Sequence, residues 1–300
     1  MTTATTVPDL YPSRIDQFAS IRERIDPVVH GRNDGPLGAE HLDGFDRRGF
    51  IQVPGVLSQD EVRAIIDELV HFSSKEEVRS DDRTIVEPTS DEVRSVFEVH
   101  RINDVIARLA ADERIAGVAR QILGSDVYIH QSRVNFKPAF KGKEFQWHSD
   151  FETWHTEDGM PRMRAISISV SLTENFTFNG PLMLIPGSHR SYVTCVGETP
   201  EDNYKNSLKA QELGSPDPAS LTKLLDDAGG EITECTGPPG GITVFDCNAM
   251  HGSNSNISPV PRSNVFIVYN SVENTLVEPF SAPSRRPEFI AARDFTPVGR

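Results

Sequence analysis

Val127-Tyr128-Ile129-His130-Gln131-Ser132-Arg133-Val134-Asn135-Phe136-Lys137 is where the chain changes its period. Before this stretch apolar residues recur at helical spacing. From it onward, short runs rich in Val, Ile, Phe and Ser alternate between two faces and are separated by Gly, Pro and Asn clusters. Runs of the same character lie at 165–173, 182–185, 242–246 and 264–272. Short strands spread over ~150 residues suit a mainly β architecture with flanking helices, a double-stranded β-helix of the jelly-roll, cupin-like kind. The reading is one domain over 1–300: a mostly helical part at 1–125, a jelly-roll core at 126–278, and a tail at 279–300. The stretch 204–230 reads as a partly helical insertion between strands. The tail, rich in Pro and Arg, is expected to wrap the surface without regular structure.

Upstream, Ser58-Gln59-Asp60-Glu61 has the form of a capping box, and Val62, Ile65, Ile66, Leu69 and Val70 then keep the period of an amphipathic helix. A second helical pattern joins Val105, Ile106, Leu109, Ile115, Val118, Ile122 and Leu123, with Gly124 as its stop. Between them, 73–98 is charged and poor in large apolar residues. It reads as a mobile surface loop, one able to cover a site.

Composition narrows the class. In 300 residues, 37% hydrophobic content is enough for a substantial core. A net charge of −14 and a pI near 5.1 argue against nucleic-acid and anionic-membrane partners. No window is apolar for the ~18 residues a membrane span needs, and no secretory leader is visible. Cys195, Cys235 and Cys247 form no disulfide or Cys-x-x-Cys pattern and suit a reducing cytoplasm.

The chemistry lies in Phe145-Gln146-Trp147-His148-Ser149-Asp150-Phe151-Glu152-Thr153-Trp154. If this stretch is a strand, His148 and Asp150 share a face and can grip one ion. His251, flanked by the small residues Ala249, Gly252 and Ser253, is the candidate third ligand. Two histidines and a carboxylate form the facial triad of non-haem Fe(II) oxygenases, with three coordination positions left open. Arg262, eleven residues after His251, could hold the far carboxylate of a 2-oxo diacid in its planar fork. Three competing histidines are weaker. His41 pairs with Asp43 in a helical stretch, where side chains two apart diverge by ~200°. His155 and Glu157 stand at an acidic turn that reads as solvated. His189 sits in a Pro-Gly-Ser turn with no arginine about ten residues beyond.

The segment from Phe145 through Trp147, His148, Ser149, Asp150, Phe151, Glu152, Thr153, Trp154, His155, Glu157, Asp158, Gly159, Met160, Pro161, Met163 and Arg164 to Ala165 resembles the signature of the ectoine hydroxylases. These are a branch of the phytanoyl-CoA dioxygenase-like, 2-oxoglutarate-dependent Fe(II) oxygenases. The resemblance continues through Asn179-Gly180-Pro181-Leu182-Met183-Leu184-Ile185-Pro186-Gly187-Ser188-His189 and from Asn248 to Asn274. It implies His148, Asp150 and His251 as Fe(II) ligands, and Lys137 and Arg262 as holders of the cosubstrate 2-oxoglutarate. It further implies Gln131, Trp154 and Asn264 as contacts to ectoine, and Phe245 and Phe266 as aromatic walls. The implied reaction converts ectoine to 5-hydroxyectoine with dioxygen while 2-oxoglutarate loses carbon dioxide to give succinate, in a homodimer. On sequence alone Trp154 reads better as an ordinary core or lid aromatic, and Lys137 as a solvated strand-end lysine. Parity agrees with the implied set: Gln131 and Lys137 can share one face, as can Arg262, Asn264 and Phe266. Two other readings are a phytanoyl-CoA-like hydroxylase of another small substrate and a non-catalytic cupin-like binding module. A related halogenase is disfavoured, because halide needs the position that Asp150 takes.

Overall fold

Ala165-Ile166-Ser167-Ile168-Ser169-Val170-Ser171 explains the layers of the molecule. Ile166, Ile168 and Val170 point into a core shared with helices, while Ser167, Ser169 and Ser171 point the other way, and all are buried. A strand covered on both faces needs an apolar side for the helices. Its small, hydroxylated side leaves room inside a barrel.

The computed structural model describes residues 7–31, 35–86, 92–208 and 213–299. Its helical part runs β1 (Ile21–Glu23), α1 (Ala39–Arg48), β2 (Phe50–Val53), α2 (Gln59–Ser73), α3 (Glu76–Arg79), β3 (Thr84–Val86), β4 (Val93–Phe97), α4 (Val99–Ile102), α5 (Asp104–Ala111) and α6 (Glu113–Leu123). The β part runs β5 (Val127–Lys137), β6 (Phe145–His148), α7 (Asp150–Thr153), a π-helical turn (Trp154–Asp158), β7 (Ala165–Ser171), β8 (Leu182–Leu184) and β9 (Ser191–Val193). It continues with α8 (Tyr204–Ser207), α9 (Pro218–Asp227), β10 (Thr233–Glu234), β11 (Ile242–Asp246), β12 (His251–Ser253) and β13 (Arg262–Ser271). One sheet has the order β2-β11-β7-β13-β5-β4-β3 and the facing sheet β10-β8-β12-β6, while β1 pairs with β9. Every named pairing among the described residues is antiparallel, which is the expected jelly roll.

The helices cover the outer face of the larger sheet. Leu42, Val62, Ile65, Leu69, Ile106 and Ile122 meet Val134, Val244, Val265 and Ile267 there. The capping box forms as expected: Ser58 Oγ accepts from Glu61 N, and Ser58 N donates to the Glu61 carboxylate. The second helical pattern splits at Asp112, because that side chain caps the N-terminus of α6 through Arg114 N.

Three expectations are corrected. The stretch 73–98 is not simply a loop. It contains α3, β3 and β4, and β4 pairs with β5 from Ser95↔Asn135 to Phe97↔Arg133. β3 is the sheet edge and β4 lies between it and β5; both are short, 3 and 5 residues, and set among charged residues, which hides the period-two signal. Residues 87–91 of that stretch lie outside the described residues. The tail has no regular element, yet it does not merely wrap the surface, since Ile290, Ala291 and Ala292 are buried. Asp150 is not on a strand: β6 ends at His148 and Asp150 is the first residue of α7.

Candidate metal centre and cavity

His148 closes β6 and His251 opens β12, and the two face each other directly in the antiparallel register. Gly252 permits this approach, since a Cβ there would stand 3.1 Å from Phe145 O and 3.3 Å from the Trp147 ring. The chain then leaves the strand at Ser149, whose hydroxyl donates to Asn248 Oδ1 at 2.9 Å, and Asp150 swings under the two rings. His148 Nε2 lies 3.5 Å and His251 Nε2 3.9 Å from Asp150 Oδ1. One ligand atom from each of the three residues falls within 4.8 Å of the others, and all three residues are buried. Thus the ligand set meets as expected, by a strand-to-helix turn and not by strand parity.

The donor chemistry suits a cation. His148 Nδ1 is 2.8 Å from Gln146 O and His251 Nδ1 is 3.0 Å from Ala249 O, so each Nδ1 donates to a carbonyl and leaves the Nε2 lone pair free. Ser167 Oγ donates to Asp150 Oδ2 at 3.2 Å. Burial works to raise the Asp150 carboxyl, but the adjacent His251 and then His148 hold it well below the usual carboxylate range. Burial, then repulsion from His148, pushes His251 down to about 4. Asp150 is therefore ionised and His251 neutral, the forms that bind metal.

Beside the triad opens a cavity of about 850 Å³, open solvent included, lined by His148, His251, Phe97, Phe266 and Leu182 and by the cations Arg94, Arg133, Lys137, Lys143 and Arg262. No Asp or Glu of the described residues is among its lining. Arg262 is buried; its Nη1 donates to Asn264 Oδ1 at 3.2 Å, and its Nε has no hydrogen-bond partner among the described residues. Burial lowers it to about 10. Lys137 Nζ donates to Ser253 Oγ at 2.9 Å and to Asn254 O at 2.5 Å, both neutral. Burial, then repulsion from Arg262 and Arg94, brings it down to about 6. Arg262, buried, and Lys137, half-buried and bonded only to neutral groups among the described residues, suit an anion supplied from outside.

The remaining expected residues fall at different depths. Phe266 lines the cavity and Phe245 packs on His251 with ring centres 5.0 Å apart. Asn264 stands behind Arg262 and donates to Ser169 Oγ at 2.9 Å. Gln131 stands behind Arg133, whose Nη1 donates to Gln131 Oε1 at 2.7 Å. Trp154 does not line this cavity; it is 3% exposed and meets His130 edge-on at 5.1 Å. Arg133 itself was missed by sequence reading. Its odd-numbered position beside Asn135 and Lys137 on β5 was the available signal, and its guanidinium sits 5.0 Å from the Phe266 ring centre.

The competing histidines take other duties. His41 is exposed on α1. His189 Nε2 lies 3.0 Å from Asp46 O. His155 corrects the expectation of a solvated turn: it is fully buried between Met160 O and Asp9 Oδ1, each 2.8 Å away. Its neighbours Glu157 and Asp158 are also buried, because arginines from distant parts of the chain neutralise them.

Comparison with known proteins agrees with this geometry. The model of the phytanoyl-CoA dioxygenase (PhyH) family matches residues 45–264. The chain is 56% identical over 300 residues to a Streptomyces coelicolor ectoine dioxygenase, covering 99% of each chain. It is 53% identical over 286 residues to a Halomonas elongata ectoine dioxygenase, covering 94% of this chain and 86% of that one. Crystal structures of EctD from S. alaskensis, one with 2-oxoglutarate and 5-hydroxyectoine and one with bound Fe, superpose with a TM-score of 0.87 at 49% identity, covering 97% of both chains.

Proposed function

The chain belongs to the phytanoyl-CoA dioxygenase family, and on that basis we propose that it hydroxylates ectoine to 5-hydroxyectoine, coupled to conversion of 2-oxoglutarate into succinate and carbon dioxide. The observation that carries the proposal is the meeting of His148, Asp150 and His251 at the edge of a cavity lined by cations, with no carboxylate among the described lining residues. Fe(II) bound there, with 2-oxoglutarate and dioxygen, supplies the oxidising power.

The chain's own residues bind and orient. His148 and His251 present Nε2 and Asp150 presents a carboxylate oxygen to the metal. Lys137 and Arg262 receive the carboxylate charge of 2-oxoglutarate, the planar Arg262 fork fixing its direction. Arg133 suits the carboxylate of ectoine. Of the residues expected to contact ectoine, Gln131 is proposed to act on it by way of the Arg133 guanidinium it already orients, and Asn264 to act by way of Arg262 on 2-oxoglutarate. Trp154, which does not line the cavity, is proposed to support the ectoine half from behind through His130. Phe245 and Phe266 are proposed as walls that keep water from the reacting carbon, so that position on the ring decides the product. A homodimer in a reducing cytoplasm, making a compatible solute under osmotic stress, completes the proposal; three buried free thiols support the compartment.

Mass spectrometry of ectoine incubated with protein, Fe(II), 2-oxoglutarate and air tests it. Ectoine should gain one oxygen atom, and the Asp150→Ala variant should give none. An unchanged yield from that variant would remove the ligand role.

A further inference from the structure

Residues 286–292 pass behind the cavity, beyond the 45–264 span of the family model. Arg286 forks onto Asp158, Nε to Oδ1 at 2.7 Å and Nη2 to Oδ2 at 2.6 Å, with both residues buried. The segment so anchored reaches β5 in two places. Ala292 N donates to His130 O at 2.9 Å, and Ile290 O accepts from Gln131 Nε2 at 2.8 Å. An amide side chain has two near-equivalent orientations, and the hydrogen-bond pattern around it selects one. The Ile290 carbonyl can only accept, so it takes the Gln131 NH₂ and turns Oε1 toward Arg133, which donates to it at 2.7 Å. The tail thereby touches the cavity wall through two side chains. On the dicarboxylate side, Lys137 and Arg262 are held instead by Ser253, Asn254 and Asn264.

We propose that residues 286–292 form a positioning element for the ectoine half of the cavity, acting through the amide of Gln131 on the guanidinium of Arg133. This rests on the reading of the cavity given above. Arg286, Asp158 and the Ile290 carbonyl are positioning groups that touch neither substrate. Without them the Gln131 amide is free to turn its NH₂ toward Arg133, which then loses its acceptor and its place over Phe266.

Two variants test this against a purely structural role. Arg286→Lys keeps a charge opposite Asp158 but loses the two-pronged grip. A chain ending at Glu288 keeps Arg286 but lacks the Ile290 carbonyl, together with the buried Ile290 to Ala292 and the Arg293 bonds to Val277 O and Asp158 O. Its unfolding is therefore measured alongside, and Arg286→Lys decides if it fails to fold. For each, the KM for ectoine should rise about tenfold, as expected for misplaced binding groups, while the KM for the dicarboxylate cosubstrate stays within about twofold. The ratio of cosubstrate consumed to ectoine hydroxylated should also rise. Wild-type values for ectoine in both variants, or equal shifts for both substrates, would overturn the proposal. Absence of ectoine hydroxylation by the unaltered protein is a distinct result, which strikes the cavity reading itself and takes this inference with it.

Discussion

On the inner face of β5 and β13, Arg262 is buried and Arg133 and Lys137 are half-buried, each with only neutral hydrogen-bond partners among the described residues, and burial lowers each of them. The segment 150–158, packed behind that face, buries Glu152, Glu157 and Asp158 more thoroughly, but each meets an arginine. Arg14 grips Glu152 through Nε at 3.0 Å and Nη2 at 2.7 Å and reaches Glu157 through Nη1 at 2.6 Å, while Arg286 takes Asp158. Burial works to lower Arg14 and Arg286, yet the paired carboxylates raise both above the ordinary value. The difference separates structure from function: charge balanced inside the chain holds a segment in place, and charge left unbalanced around a cavity is matched by ligand.

The largest expected effect tests the balanced side. Arg14→Met strands Glu152 and Glu157, and breaking a buried pair by removing one partner costs roughly 3–5 kcal/mol. Urea unfolding should show a loss of this size with an unchanged slope. A loss under about 1 kcal/mol, the range of exposed pairs, would break the comparison.

On the unbalanced side the same kind of substitution should do the opposite. Arg262→Met removes a buried charge whose Nε is unpartnered among the described residues and should leave the unfolding free energy unchanged or raise it. The KM for the cosubstrate should meanwhile increase about 30- to 1,000-fold, corresponding to roughly 2–4 kcal/mol for a truncated buried charge contact. If Arg262→Met destabilises the fold as much as Arg14→Met, the distinction between the two regions is lost.

These regions also differ in how much the sequence discloses. The jelly roll is legible because β7, β11 and β13 alternate cleanly, with Ile166, Val244 and Ile267 facing helices and Ser167, Phe245 and Phe266 facing inward. The triad is legible from residue type and spacing. Asp150 reaches its place by a turn at Ser149 that spacing does not reveal. The balanced network was invisible because its partners are 138 residues apart in one pair and 128 in the other, so an acidic run with no local counter-charge reads as solvated. Strands β3 and β4 were hidden for another reason: at 3 and 5 residues they are too short to show the period-two signal among their charged neighbours.

The smallest effect concerns Lys137, and here the sign can be worked out. In the free cavity its amine is lowered to about 6, by burial first and then by Arg262 and Arg94. A carboxylate arriving beside it favours the ammonium form, so above pH about 6 binding takes up a proton that the free site does not carry. The KM for the cosubstrate should therefore rise with pH from about 6 upward, by at most about tenfold per unit. Stability moves the other way: between about 6 and the ordinary lysine value the unfolded chain binds a proton that the folded chain does not, so folding gains as pH increases through that window. Lys137→Arg carries a fixed charge and should flatten the KM profile between pH about 6 and about 9. A flat profile in the unaltered protein would mean that the ammonium is already balanced, which would move Lys137 from the cavity side of the comparison to the side of Arg14 and Arg286.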